Sequence, residues 1–248
     1  MQNFKFTIEY EGTRYNGWQR LKDNDNTIQG KLETVLSRMT ESRVQLTGAG
    51  RTDAGVHARA QVANAFLDTD MGDEEIRRYM NRYLPEDIRI LSVERVGERF
   101  HSRFSAVEKL YCYYISTGEK PSVFERKYLY HIDGMPDIDS MKRAADLLSG
   151  RHDFRSFCGN RHMKKSTVRE IRSIDIDFDE KKEIIKISYR GDGFLQYMIR
   201  IITGTLLEVG SGRRSPEDMT RVLEAKNREA AGYTVPPGGL FLEEIRFK

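Results

Sequence analysis

The chain has 248 residues, and its 41 Lys and Arg stand against 38 Asp and Glu for a formal net charge of +3. Its 38% hydrophobic and 32% charged residues exclude a disordered chain, which has fewer aromatics and a larger net charge, and the length holds one large domain or two small ones with a real core. No apolar run is long enough to span a membrane, and Cys112 and Cys158 require no disulfide and offer no zinc-ligand spacing; a soluble, cytoplasmic protein is expected.

The first residues, MQNFKFTIEYEG, alternate polar and apolar as a strand over 4–10 rather than forming the apolar core of a signal peptide. Thr27 then caps a helix over 28–39, with Ile28, Leu32, Val35, Leu36 and Met39 on its apolar face. Strands are expected over 44–47 and 59–67, joined by a glycine-rich loop. A helix over 73–82 and a strand over 88–96 follow, giving the order β-α-β-β-α-β. The second half repeats it: strand 109–116, helix 138–148, a hairpin of strands 169–178 and 183–189, an apolar helix over 194–209 and a last strand over 240–247. An extra helix, 216–224, precedes that strand. Repetition of a split βαβ unit predicts an α+β fold of two ferredoxin-like halves, 1–105 and 106–248, whose sheets join side by side.

The loop LTGAGRTDAGVHARAQ (46–61) is the most unusual segment. Gly48, Gly50 and Gly55 surround one carboxylate, Asp53, and glycine permits both positive φ and close approach of another molecule. No Gly-Lys-Ser/Thr follows, so it is not a phosphate-binding P-loop, and Asp53 itself occupies the third glycine position of a dinucleotide fingerprint. An aspartate that only ties down its own turn is the plainer reading. Flanking Arg51 and His57 point instead to a site that holds an anionic or aromatic ligand. The five histidines form no metal-ligand pattern, so no metal is expected.

Arg200 lies in FLQYMIRIITGTLLEV (194–209), a helix apolar on most of its circumference. A guanidinium there needs a carboxylate or a route to solvent. Snorkelling and pairing with Glu208 are two solutions; pairing with Asp53 is a third, and would keep that carboxylate ionised. In KLYCYYIS (109–116) Tyr111 and Tyr113 share one strand face, Cys112 and Tyr114 the other. Such tyrosines are ordinarily core, yet one facing a ligand would stack on a base. Charge is uneven as well: residues 1–105 are neutral, and 151–172 hold seven basic residues, including Arg161, Lys164 and Lys165, against Asp153 and Glu170. That run is either a solvated loop or a phosphate-contacting surface.

At this point GRTDAGVHA (50–58) resembles the signature of the TruA-type tRNA pseudouridine synthases. YNGWQR (15–20), FSAVEKLYCYY (104–114), HDFRSF (152–157), the GxxFLxxMxR run at 191–200 and VPPGGLFLE (235–243) resemble further segments of that family in the same order. Asp192, Gln196-Tyr197 and Ile201 depart from its usual residues. The resemblance implies two ferredoxin-like subdomains sharing an antiparallel sheet with a catalytic cleft between them, a homodimer, and cofactor-free isomerisation of uridines at positions 38, 39 and 40 of the tRNA anticodon stem-loop. It makes Asp53 the nucleophile, Tyr111 the residue packed on the target base and Arg200 the basic partner of Asp53. Arg51 helps displace the base or fill its place, Leu240 walls the pocket, and Gln19, Arg20 and His57 join the RNA-contacting set. Two competing functions are a non-catalytic RNA-binding protein, with the 151–172 segment making the contacts, and an aspartate-based phosphotransferase. The latter lacks the second acid of an Asp-x-Asp.

Overall fold

The computed structural model describes residues 1–22 and 24–248. In chain order the elements are β1 (Gln2–Tyr10), α1 (Ile28–Met39), β2 (Thr47–Gly48), β3 (His57–Leu67), α2 (Asp73–Tyr83), β4 (Ile88–Val96), β5 (Ala106–Ser116), β6 (Tyr130–His131), α3 (Ile138–Asp146), β7 (Gly150–Asp153), β8 (Val168–Asp179), β9 (Ile184–Gly191), α4 (Met198–Gly210), α5 (Asp218–Ala225) and β10 (Leu240–Phe247). The chain divides into two units, Met1–Val107 with Phe241–Lys248, and Glu108–Leu240. The expected second half of 106–248 thus gives up its last strand. Phe241 and Leu242 pair with His57 and Ala58 of β3, and the terminal Lys248 amide donates to Ser105.

In the first unit the strand order is β4-β1-β3-β10, with β2 also paired to β3. Phe4, Phe6, Ile8 and Tyr10 of β1 are buried while Lys5, Thr7 and Glu9 are half-buried, the alternation of a strand with one face on a core. Helix α1 starts where Thr27 accepts a hydrogen bond from the Gly30 amide at 3.2 Å, satisfying one of the donors a helix start leaves over. It buries Ile28, Leu32, Val35 and Leu36. The strand expected over 44–47 shrinks to Thr47–Gly48. Side chains of α1 take the backbone groups that a ladder would have used: Ser37 accepts from the Val44 amide, Glu33 from the Leu46 amide, and Gln29 donates to the Leu46 carbonyl.

In the second unit the order is β5-β9-β8-β7, with β6 beside β5. β8 and β9 form the expected hairpin, and Tyr111 of β5 stands opposite Tyr189 of β9. All of α4 is buried except Arg200 and Glu208. The helix begins at Met198 rather than 194 because Tyr197 takes a left-handed backbone, φ 61°, which a helix cannot continue through. That turn presents the Gln196 carbonyl to the Gly159 amide at 2.8 Å. The 151–172 segment is not one loop: it holds β7, a 3₁₀ turn at Arg155–Phe157 and the start of β8.

The sheets are mixed rather than wholly antiparallel, since β10 runs parallel to β3 and β6 parallel to β5. Parallel neighbours need a long crossover. The whole second unit supplies one for β10, and the segment between β5 and β6 supplies the other. No helix among the described residues is long and apolar enough to cross a membrane.

Candidate active site

The glycine-rich loop is built from the backbone outward. The Ala49 amide donates to Val62 of β3, and the loop closes in a turn where the Val56 amide reaches the Asp53 carbonyl. Gly55 takes that turn at φ 78°. Main-chain groups close the turn, and the Asp53 side chain beside it is half-buried. Arg51 beside it is exposed. Thr52 points inward, its hydroxyl 2.7 Å from that of Tyr10, and burial holds the Tyr10 phenol well above the ordinary tyrosine range despite hydrogen bonds with Thr52 and Gln61.

The YNGWQR segment is laced against this loop. The Trp18 amide donates to the Thr52 carbonyl and the Gly55 amide to the Tyr15 carbonyl. Gly17, at φ 88°, brings the two chains so close that a Cβ there would lie 2.7 Å from the Thr52 carbonyl oxygen. A Cβ on Gly48 would lie 2.5 Å from the Trp18 indole nitrogen. Two of the family-like segments are therefore packed backbone to backbone beside Asp53. Gln19 donates to the Gln29 side chain at 2.7 Å, and Arg20 to Glu33 at 3.1 Å.

His57 departs from expectation. It is 1% exposed, its Nδ1 accepts the Gly12 amide at 3.0 Å, and its ring stacks on Phe241 with centroids 4.6 Å apart. The ring lies inside the fold, between the Gly12 backbone that follows β1 and Phe241 of β10.

In the second unit Tyr111 is buried and meets Phe194 edge-on, centroids 5.4 Å apart. Neighbouring Tyr113 donates its hydroxyl to the Pro236 carbonyl at 2.7 Å, and burial raises its pKa. Leu240 is buried as well. Arg200 is half-buried; its Nε donates to the Val235 carbonyl at 2.8 Å and its guanidinium lies 5.0 Å from the centre of the Tyr197 ring. Glu208, one of the partners the sequence offered it, accepts instead from Arg214. Arg161, Lys164 and Lys165 are exposed between β7 and β8, with Arg161 3.6 Å from Glu229. Asp192, where the family-like run departs from pattern, accepts the Glu170 amide at 3.0 Å and keeps that turn intact.

Sequence reasoning missed the inner shell of Tyr10, Thr52, Gln29 and Glu33. One signal was readable: Gln29 and Glu33 stand one turn apart, next to the Ile28–Leu32 stripe, and polar residues bordering an apolar stripe are candidates for burial. Among the described residues no group of three or more His, Cys, Asp or Glu is arranged to hold a metal.

A family model described as tRNA pseudouridine synthase matches residues 7–105 and 144–248. A relative named tRNA pseudouridine synthase A from Bacillus sp. (strain KSM-64) is 46% identical over 247 residues, covering both chains completely. Relatives named tRNA pseudouridine synthase A 2 include one from Bacillus anthracis, 44% identical over the whole of both chains. Another, from Clostridium perfringens, is 42% identical over 99% of each. A crystal structure of a Cbf5-Nop10-Gar1 complex matches at 14% identity, over 83% of this chain and 45% of that one, with a TM-score of 0.36. The matches to the family model and to these full-length relatives place the chain in the tRNA pseudouridine synthase family.

Proposed function

We propose that the chain isomerises uridine to pseudouridine in tRNA, at positions 38, 39 and 40 of the anticodon stem-loop, with Asp53 as its catalytic carboxylate. The observation that carries this is the rigid frame of backbone contacts and glycines around a single acid, in a chain whose full-length relatives bear that enzyme's name. The element order of each unit supports the ferredoxin-like reading of the halves, and the family resemblance supports a cytoplasmic homodimer.

The reaction breaks the N1–C1′ glycosidic bond, turns the base and forms a C5–C1′ bond. The C5 proton leaves and N1 gains one, so atoms and electrons balance without a redox partner. Asp53 acts as covalent nucleophile, at C6 of the ring or C1′ of the sugar, and departs when the new bond is complete. A stem base must first leave the stack, at about a few kcal/mol. Arg51, which is exposed, offsets that cost by occupying the vacated position. Tyr111 packs on the turned base, Leu240 supplies an apolar wall, and Arg200 is the cation that keeps the carboxylate ionised and aimed. Gln19, Arg20, Arg161, Lys164 and Lys165 contact the RNA backbone, where neutralised phosphates supply affinity. His57 serves as an internal brace.

The test is pseudouridine content in an unmodified tRNA transcript incubated with wild type or Asp53→Asn in the presence of EDTA. Wild type converts uridines mapping to the anticodon arm, and the variant binds the transcript while turnover falls at least about a thousandfold. Conversion by the variant removes Asp53 from the chemistry. Binding without conversion by wild type returns the chain to the RNA-binding reading.

A further inference from the structure

Helix α1 carries a buried carboxylate that the chemistry above does not use. Glu33 is 3% exposed. Its Oε1 accepts from Gln29 Nε2 at 2.8 Å and from the Leu46 amide at 2.9 Å, and its Oε2 accepts from Arg20 Nη1 at 3.1 Å. Gln29 completes the frame: its Oε1 accepts from Gln19 Nε2 at 2.7 Å and the Arg20 amide at 3.0 Å, and its Nε2 also donates to the Leu46 carbonyl at 3.0 Å. Two side chains one helical turn apart thus hold Gln19 and Arg20 on one side. On the other they hold Leu46, the residue that leads into the Asp53 loop.

Burying a carboxylate is costly unless it is paired and hydrogen-bonded, and an ion pair to a half-exposed arginine returns little stability. The arrangement makes sense as a way to aim a cation. The Arg20 side chain is 45% exposed while its partner is buried. It opens on a cleft of about 390 Å³ lined also by Gln19, Lys22, Arg43 and Gln45. Among the described lining residues Arg20, Lys22 and Arg43 are cationic and Glu33 alone is acidic. With three donors on its nearly buried carboxylate, Glu33 fixes Arg20 and leaves the exposed charges of the cleft cationic.

We infer that Glu33 is a positioning residue that, with Gln29, aims Arg20 at a phosphate of the RNA backbone from this cleft. The inference rests on the reading of Arg20 as an RNA contact. The informative substitution is Glu33→Gln, which keeps the volume and one oxygen for the Leu46 amide. Its –NH₂ faces the Arg20 guanidinium, donor against donor, so the frame stays and the aim is lost.

Binding of an unmodified tRNA transcript by Arg20→Ala, Glu33→Gln and the double variant forms a cycle, measured alongside melting temperature and wild-type turnover. Arg20→Ala weakens binding about five- to tenfold and lowers the salt dependence of log K by about one. Glu33→Gln weakens binding to a similar degree, and the double variant is no weaker than Arg20→Ala alone. Losses that add, or a Glu33→Gln loss that tracks a fall in melting temperature with the salt slope unchanged, reduce Glu33 to a structural brace and overturn the inference. Unchanged binding by Arg20→Ala overturns it too, while wild-type conversion to pseudouridine in the same preparations leaves the enzymatic reading standing.

Discussion

A single methyl group tests how tightly the Asp53 loop is held. At Gly17 two penalties coincide: φ is 88°, and a Cβ would meet the Thr52 carbonyl oxygen at 2.7 Å and the Ala54 amide nitrogen at 3.1 Å. Gly134 shares only the first, with φ 79° and nothing within 4 Å. Gly134→Ala is expected to cost about 1 kcal/mol and leave turnover unchanged. Gly17→Ala costs about 2–4 kcal/mol, since the crowded atoms are backbone and cannot swing aside. Because the loop shifts with it, turnover falls at least about tenfold. Thermal melts and single-turnover rates on the two variants separate backbone strain from crowding; equal losses in both would show that the close approach to Thr52 has no energetic weight. The glycines were legible in the sequence as a loop built for close approach. What they approach was not: the partner is Trp18 and Thr52 of the same chain as much as any ligand. The burial of His57 was hidden for a related reason. Its type and position suggest a ligand-facing ring, and only the pairing of β10 with β3, set far along the chain, covers it.

At the scale of elements, legibility followed how local the determinants are. α1 spans the expected residues because its cap and apolar stripe lie within its own sequence. Thr27 is fully buried and its hydroxyl serves the Gly30 amide. Thr27→Ala is therefore expected to destabilise by about 1–2 kcal/mol, a melting shift of roughly 2–8 °C for a chain of this size. Thr27→Ser, which keeps the oxygen, recovers most of it; a serine variant as unstable as the alanine one would assign the loss to the methyl group instead. The two misjudged boundaries depend on distant residues. Strand 44–47 lost its ladder to Ser37, Glu33 and Gln29, a competition visible only once α1 lies alongside. α4 starts late because Tyr197 turns left-handed beside Gly159, where even a Cβ would lie 2.2 Å from the tyrosine ring. Apolar periodicity runs through residues 194–197 without a break, so no pattern within the helix marks that start.

For the molecule as a whole, the last strand is the least local feature. β10 from Phe241 onward closes the first unit, although the entire second unit separates it in sequence from β3. Leu242 is fully buried, Phe247 packs against Phe100 with centroids 5.3 Å apart, and Arg59 reaches Glu243 at 3.3 Å while lying over the Phe241 ring. Contacts of such separation close a long loop before they return any stability, so the first unit completes its sheet only after the second has been made. Leu242→Ala removes a buried side chain from that closure and is expected to cost about 2–5 kcal/mol. Amide hydrogen exchange shows where the loss is felt: protection drops in β1, β3 and β4, together with the 47–57 loop that β3 supports. The Asp53 loop then loosens with the C-terminus, and turnover falls at temperatures where both units retain their secondary structure. Protection lost only across β5, β8 and β9 would mean that β10 belongs energetically to the second unit, and the division at 240/241 would have to be redrawn.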